Sequence, residues 1–240
     1  MFLNFATTSF IATLLASVTA HPTANLIREL RDTRGLGDSN QGFAGALLSR
    51  TNYVSVTASF VIPEFGPTNL TADSVQYLNA VVILLCTHAR VSAFVGFSIN
   101  PNGTEVFALG PIPPAVSFIA GDMAQITVEA LQVGYNTTVE NLTSGHATSG
   151  HIPSAKEPLC FAASWGIEGP RSQSFVGSIN FYNTFAVDKV GVKSGLLEAS
   201  IQPIIAPNGT PLTSINIISP TNITSFTDIP SSTNMTISYL

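Results

Sequence analysis

Residues 53–62 read YVSVTASFVI, and Val54, Val56, Ala58, Phe60 and Ile62 fall on one side of an extended chain. Such alternation marks a strand, because successive strand side chains point to opposite faces. Pro63 closes the segment, since proline has no N–H to give to a ladder. Read outward from there, the pattern predicts strands over 80–85, 91–98, 104–109, 124–130, 136–141, 160–167, 175–182, 199–205, 213–219 and 234–240. Turn-forming clusters separate them, among them Asn100 to Gly103, Pro111 to Pro114, Asn208-Gly209 and Ser219-Pro220. No stretch after residue 40 keeps a 3.6-residue period. About eleven short strands joined by turns predict one all-β domain, an antiparallel sandwich or barrel.

Two of these strands show which face is which. In 161–168, Phe161, Ala163, Trp165 and Ile167 share one face, while Ala162, Ser164, Gly166 and Glu168 share the other. The large apolar face is expected in the core, and the small polar face along an open groove from which Glu168 projects. In 91–98, Val91, Ala93, Val95 and Phe97 are expected in the core, with Ser92, Phe94, Gly96 and Ser98 facing out.

Composition removes several classes of function. The chain has 240 residues, a formal net charge of −5 and only nine Lys plus Arg, thinly spread. No basic patch exists to neutralise phosphates, so no nucleic-acid partner is expected. Mean hydropathy is +0.35, yet no run reaches the roughly 18–20 apolar residues of a membrane span. Two cysteines are too few for a disulfide-dense scaffold or a multi-cysteine zinc site.

The N-terminus reads as an address. Phe10 to Val18 is a short apolar run ending in Val18-Thr19-Ala20, the small residues that signal peptidase accepts. Residues 1–20 are therefore expected to be a signal peptide, with a buried strand as the alternative. Residues 21–40 concentrate charge (Arg28, Glu29, Arg31, Asp32, Arg34, Asp38) beside a stripe of Leu26, Ile27 and Leu30. They read as a short pro-segment or flexible arm, leaving 41–240 as the domain. Asn69, Asn102, Asn136, Asn141, Asn208, Asn222 and Asn234 each open an N-x-Ser/Thr triplet. These fit a secreted, extracellular glycoprotein.

At this point the residues resemble a known family. GDMAQITVEA (121–130), VENLTSG (139–145), Pro158-Leu159-Cys160 and ASWGIE (163–168) look like the second half of fungal glutamic peptidases, the eqolisin family. FAGALL (43–48) and YVSVTASFVIP (53–63) resemble that family's mature start, and VGSINFYN (176–183) and ISYL (237–240) its last strands. The match runs over roughly 41–240, with its pieces in the family's order.

The resemblance implies a concanavalin A-like sandwich of two bent antiparallel sheets with a concave substrate groove. It also implies proteolysis at acid pH by a Gln–Glu dyad acting on a polypeptide, with no metal and no cofactor. A carboxylate takes a proton from water, which attacks the scissile carbonyl. A side-chain amide donates to the oxyanion as it forms. The family's Trp-x-x-Glu motif falls on Trp165 and Glu168, so the resemblance makes Glu168 the general base. The family's Leu-Gln-Thr-Gly is matched by Ala93-Phe94-Val95-Gly96, which puts Phe94 in the glutamine's place; a shifted register puts Cys86 there instead. The first register leaves Cys86 to pair with Cys160 as a disulfide, as family members often do and as an oxidising compartment favours.

Other groove positions depart from the family as well, at Val81 to Leu85, Ser98 and Phe107 to Pro111. The expectation is thus a monomeric glutamic-type endopeptidase whose catalysis is weak or absent. The alternative is a non-catalytic sandwich that binds a peptide or glycan in the groove. His146 and His151, five apart, lack a third metal ligand nearby, His88 lies in a loop, and no Gly-x-Ser-x-Gly elbow is present.

Overall fold

The computed structural model describes residues 41–64, 76–100, 103–109, 116–171, 177–218 and 234–240. The expected signal peptide, the 21–40 segment and the triplets at Asn69, Asn102 and Asn222 lie outside the described residues. Within them the chain is all β. Its strands are β1 (Gln41–Val61), β2 (Gln76–Cys86), β3 (Ala89–Asn100), β4 (Gly103–Leu109), β5 (Met123–Leu131), β6 (Gly134–Asn141), β7 (His146–Pro153), β8 (Cys160–Pro170), β9 (Ser178–Asp188), β10 (Lys193–Ser194), β11 (Ser200–Gln202), β12 (Thr213–Ile218) and β13 (Asn234–Tyr239). Every strand pairing is antiparallel. None of the described helices is long and apolar enough to cross a membrane.

β1 organises the rest. Its first half pairs with β8 on one edge and β11 on the other, and its second half with β5 and β9. The β1–β8 register shifts between Ser49 and Tyr53, where Asn52 has φ 74°. Asparagine enters this left-handed region more readily than most residues, since its short side chain can hydrogen-bond locally. The main path of the sheet runs β12-β13-β9-β1-β8-β2-β3-β4, and β5, β6 and β7 branch from β1. The sheet curls over, because the Phe60 ring of β1 meets the Phe97 ring of β3 edge-on at 6.5 Å although β8 and β2 lie between those strands.

The core follows strand parity. Ala44, Ala46 and Leu48 of β1, Leu78 to Leu84 (even positions) of β2, Val91 to Phe97 (odd positions) of β3, and Ala163, Trp165 and Ile167 of β8 form one buried cluster with Val56, Phe60, Ile126, Val128 and Phe181. Burying each large side chain contributes about 1.5–3 kcal/mol. Trp165 is fully buried, and its indole Nε1 donates to the Thr57 carbonyl at 2.8 Å. That bond satisfies the one polar atom of its side chain.

Sequence and structure differ most in two strands. The strand expected at 53–62 begins at Gln41, because both faces of its first half are buried and the alternation disappears there. β7 has no counterpart among the expected strands. It is a largely exposed, polar hairpin partner of β6, so HATSGH carries no apolar rhythm.

Candidate active site

Glu168 stands near the end of β8, with Asn79 of β2 directly opposite on one side and Phe43 of β1 on the other. One step back along β8 on the same face, Gly166 stands opposite Val81 and Gly45, and Val81 in turn opposite Phe94. Phe94 and Glu168 therefore belong to the same face but not to neighbouring strands. β2 separates them, and Phe94 is aligned with Gly166 rather than with Glu168.

The face carrying Glu168 is itself largely apolar. Phe43, Leu47, Val81, Ile83, Leu85 and Ala162 form a second buried cluster, with Phe94 and Phe161 packed against it. The expected open lining by Ala162, Ser164 and Gly166 is thus not observed: all three are buried, and Ser164 is 0% exposed. Its hydroxyl has no hydrogen-bond partner among the described residues. Phe161 was expected in the core beside Trp165, yet it packs in this second cluster. The reason is a bulge: Ala162 pairs with Leu85 and Cys160 with Cys86, which leaves Phe161 as an extra residue and reverses its face.

Glycines set the local shape. The Phe43 ring lies over Gly45 and Gly166, and a Cβ at Gly166 would overlap the Ala44 carbonyl oxygen. Gly169, just after Glu168, is contacted by the Tyr239 hydroxyl and by Leu78 in the place where a Cβ would sit. Burial pushes the Tyr239 phenol above its ordinary value, so it stays neutral here at any physiological pH.

Glu168 is not free. Arg90 of β3 donates from a guanidinium nitrogen to its Oε1, and the two side chains are 23% and 24% exposed. Arg90 shares strand parity with Ser92 and Phe94, which is the signal that finds it in the sequence; it fell outside the strand expected at 91–98. Asn79 was missed in the same way, one residue before the strand expected at 80–85.

Cys86 and Cys160 are joined by a disulfide with an S–S distance of 2.02 Å. Their Cα atoms are 3.7 Å apart, and the two residues stand directly opposite each other on β2 and β8. Cys86 is thereby occupied and leaves the list of substitutes for the family's glutamine.

The VENLTSG stretch proves architectural. Asn141 is 2% exposed; its Nδ2 donates to the Ser117 carbonyl at 2.9 Å and to Asp122 Oδ2 at 2.8 Å, and its Oδ1 accepts from the N–H groups of Thr143 and Ser144. Gly145 closes the turn at φ 74°. Both amide hydrogens of Asn141 are used in these bonds. Asn208 is exposed, whereas Asn136 and Asn234 are half-buried, and Asn136 Oδ1 accepts from His151 Nδ1 at 2.9 Å. His146 and His151 point to opposite faces of β7, and no group of His, Cys, Asp and Glu suited to a metal ion occurs among the described residues.

The family profile of the Peptidase A4 family matches residues 41–226. The chain belongs to this family, the eqolisins or glutamic peptidases. Its fold is also similar to solved members. Scytalido-glutamic peptidase, crystallised with a transition state analog inhibitor, is 21% identical with a TM-score of 0.60, over 83% of this chain and 98% of that one. SCP-B, an eqolisin in complex with the tripeptide Ala-Ile-His, is 21% identical with a TM-score of 0.62, over 84% and 98%. Aspergilloglutamic peptidase from Aspergillus niger is 22% identical with a TM-score of 0.50, over 68% and 99%. No curated protein matches the sequence.

Proposed function

We propose that this chain is an exported glutamic-type acid endopeptidase of low activity, built as a two-sheet sandwich whose second face receives the polypeptide. Glu168 is its water-activating carboxylate. The single observation carrying this reading is that Glu168 combines the family's Trp-x-x-Glu spacing with partial exposure on an otherwise buried, apolar face. Phe94 explains the low activity, since its ring has no hydrogen to donate to an oxyanion. Loss of one such donor lowers kcat by about 10²–10³. The disulfide supports export to an oxidising compartment.

Peptide ligands in the solved relatives support a polypeptide as the occupant. The test is cleavage of a fluorogenic peptide and of denatured casein from pH 2 to 5. The wild-type chain should cleave slowly, and Glu168→Gln should abolish cleavage. Cleavage that survives Glu168→Gln removes Glu168 from the reaction. A second reading, a peptide- or glycan-binding protein without catalysis, draws on the aromatic packing of Phe43, Phe94 and Phe161 on this face. It predicts saturable binding on a peptide or glycan array with no product at any pH.

A further inference from the structure

We propose that Asn79 is the amide partner of Glu168, so that the donor function has moved from β3 to β2. The inference rests on the reading of Glu168 as the water-activating carboxylate. Asn79 and Glu168 are direct cross-strand partners. Such residues hold their Cβ atoms about 4.5–5.5 Å apart with side chains on a common face. An amide and a carboxylate at that spacing leave room for a water and a carbonyl group at their tips. Phe94, by contrast, is aligned with Gly166 and separated from β8 by β2.

Three further features agree. Asn79 shares strand parity with Val81, Ile83 and Leu85, the β2 residues of the second cluster, so it belongs to the Glu168 face. It is only half-buried, unlike those three neighbours. Among the described residues its side chain makes no hydrogen bond, while Asn141 and Asn136 are both committed to structural ones. Asn79 thus keeps a free N–H pair beside the carboxylate. Arg90 engages only Oε1 of Glu168, leaving Oε2 for water.

The step balances with water alone. Oε2 of Glu168 removes one proton from water as the water oxygen bonds to the scissile carbonyl carbon. The carbonyl π pair moves to its oxygen, where Asn79 Nδ2–H donates. Collapse of the intermediate breaks the C–N bond, and the leaving amine takes the proton back from Glu168. Asparagine is one methylene shorter than glutamine, so its donor reaches less far, in keeping with a slow enzyme.

The experiment compares wild type, Asn79→Leu, Asn79→Gln and Glu168→Gln in kcat and KM at acid pH, with the unfolding midpoint of each as a control for folding. Asn79→Leu is close in shape and has no donor. It should lower kcat by about 10²–10³ with KM little changed, and Asn79→Gln should retain more activity than Asn79→Leu. A folded Asn79→Leu chain with kcat within threefold of wild type overturns the assignment. If Glu168→Gln abolishes cleavage while Asn79→Leu does not, only the donor assignment falls; if Glu168→Gln leaves cleavage intact, the carboxylate reading falls with it. A wild-type chain without any cleavage also overturns Asn79 as donor, and a Phe94→Gln chain that then cleaves leaves the role of Glu168 standing.

Discussion

Arg90 and Glu168 form an ion pair although their strands are not neighbours and their backbones are out of line: Leu85 of β2 stands opposite both Arg90 and Ala162, whereas Glu168 stands opposite Asn79. The pair crosses the buried cluster of Val81, Ile83 and Leu85 and ties β3 to β8 over the face of β2. Both side chains are mostly shielded from water, which preserves more of the attraction than a surface pair keeps.

A double-mutant cycle with Arg90→Met and Glu168→Gln measures that tie. The coupling should be about 1 kcal/mol by urea unfolding, with only a modest loss in 0.5 M salt. Arg90→Met alone should destabilise more than the double variant, because it leaves a partly buried carboxylate without its cation. Coupling within error of zero would mean that the pair does not hold the face together.

Much of this fold is legible in the sequence where one face of a strand is buried and the other is not. The core faces of 91–97 and 163–167 are as their alternation says, although Ser164 and Gly166 on the other face of β8 are covered as well. Legibility fails where both faces are covered, as in residues 42–48, and where the covered face carries small or polar residues, as Thr148 and Gly150 do in β7. It also fails at Phe161, since one extra residue in a strand inverts every face reading before it. At the candidate site Glu168 is readable from its spacing after Trp165. Parity places Asn79 and Arg90 on the right face, but their partnership with Glu168 is not readable, because it depends on the register of β2 against β8 and of β3 against β2, a non-local property.

Gly166 is the position where the site leaves no room for a side chain. A methyl there meets the Ala44 carbonyl oxygen and the Phe43 ring at once, and a backbone oxygen cannot turn aside as a flexible side chain can. Gly166→Ala should cost about 1–3 kcal/mol, the usual range for overpacking. It should also loosen Phe43, seen as broadened ring signals by NMR. An unchanged unfolding midpoint would show that β1 and β8 are farther apart here than described.

Three tyrosines make the protein sensitive to alkali. Burial raises Tyr53, Tyr135 and Tyr239 above the ordinary value of 10.0. Each holds its proton longer in the folded chain than in the unfolded one. Below pH 10 all three are neutral in both states and their contribution is intact. As pH rises past 10 the unfolded chain ionises first, so stability falls progressively toward the raised values. The unfolding temperature should drop between pH 9 and 11.5, and Tyr239→Phe should reduce that drop, Tyr239 being the most strongly shifted of the three. An equal drop in wild type and Tyr239→Phe would assign the alkaline loss to other groups.

Asn141 tests whether a sequence triplet or a hydrogen-bond network governs its fate. N-glycans are joined to the side-chain nitrogen while the chain is still unfolded, so the triplet Asn141-Leu142-Thr143 is open to modification before β6 and β7 close. Once folded, that nitrogen donates to Ser117 and Asp122, and Asn141 is 2% exposed. A chain glycosylated there keeps one N–H, so it would have to forgo at least one of these bonds and disturb the turn, which costs about 1–3 kcal/mol where the group left is shielded from water. Such chains should be rejected before export, and the secreted protein should carry glycan at the exposed Asn208 and none at Asn141. Asn141→Ala should destabilise by a similar amount for the same reason, with Asp122 left only its bond from the Ile119 N–H and the Thr143 and Ser144 amides losing their acceptor. Glycopeptide mapping of protein secreted from a eukaryotic host reads the first outcome, and urea unfolding the second. Glycan on Asn141 in natively folded protein would show that the turn around VENLTSG is open to solvent and that its hydrogen bonds are dispensable.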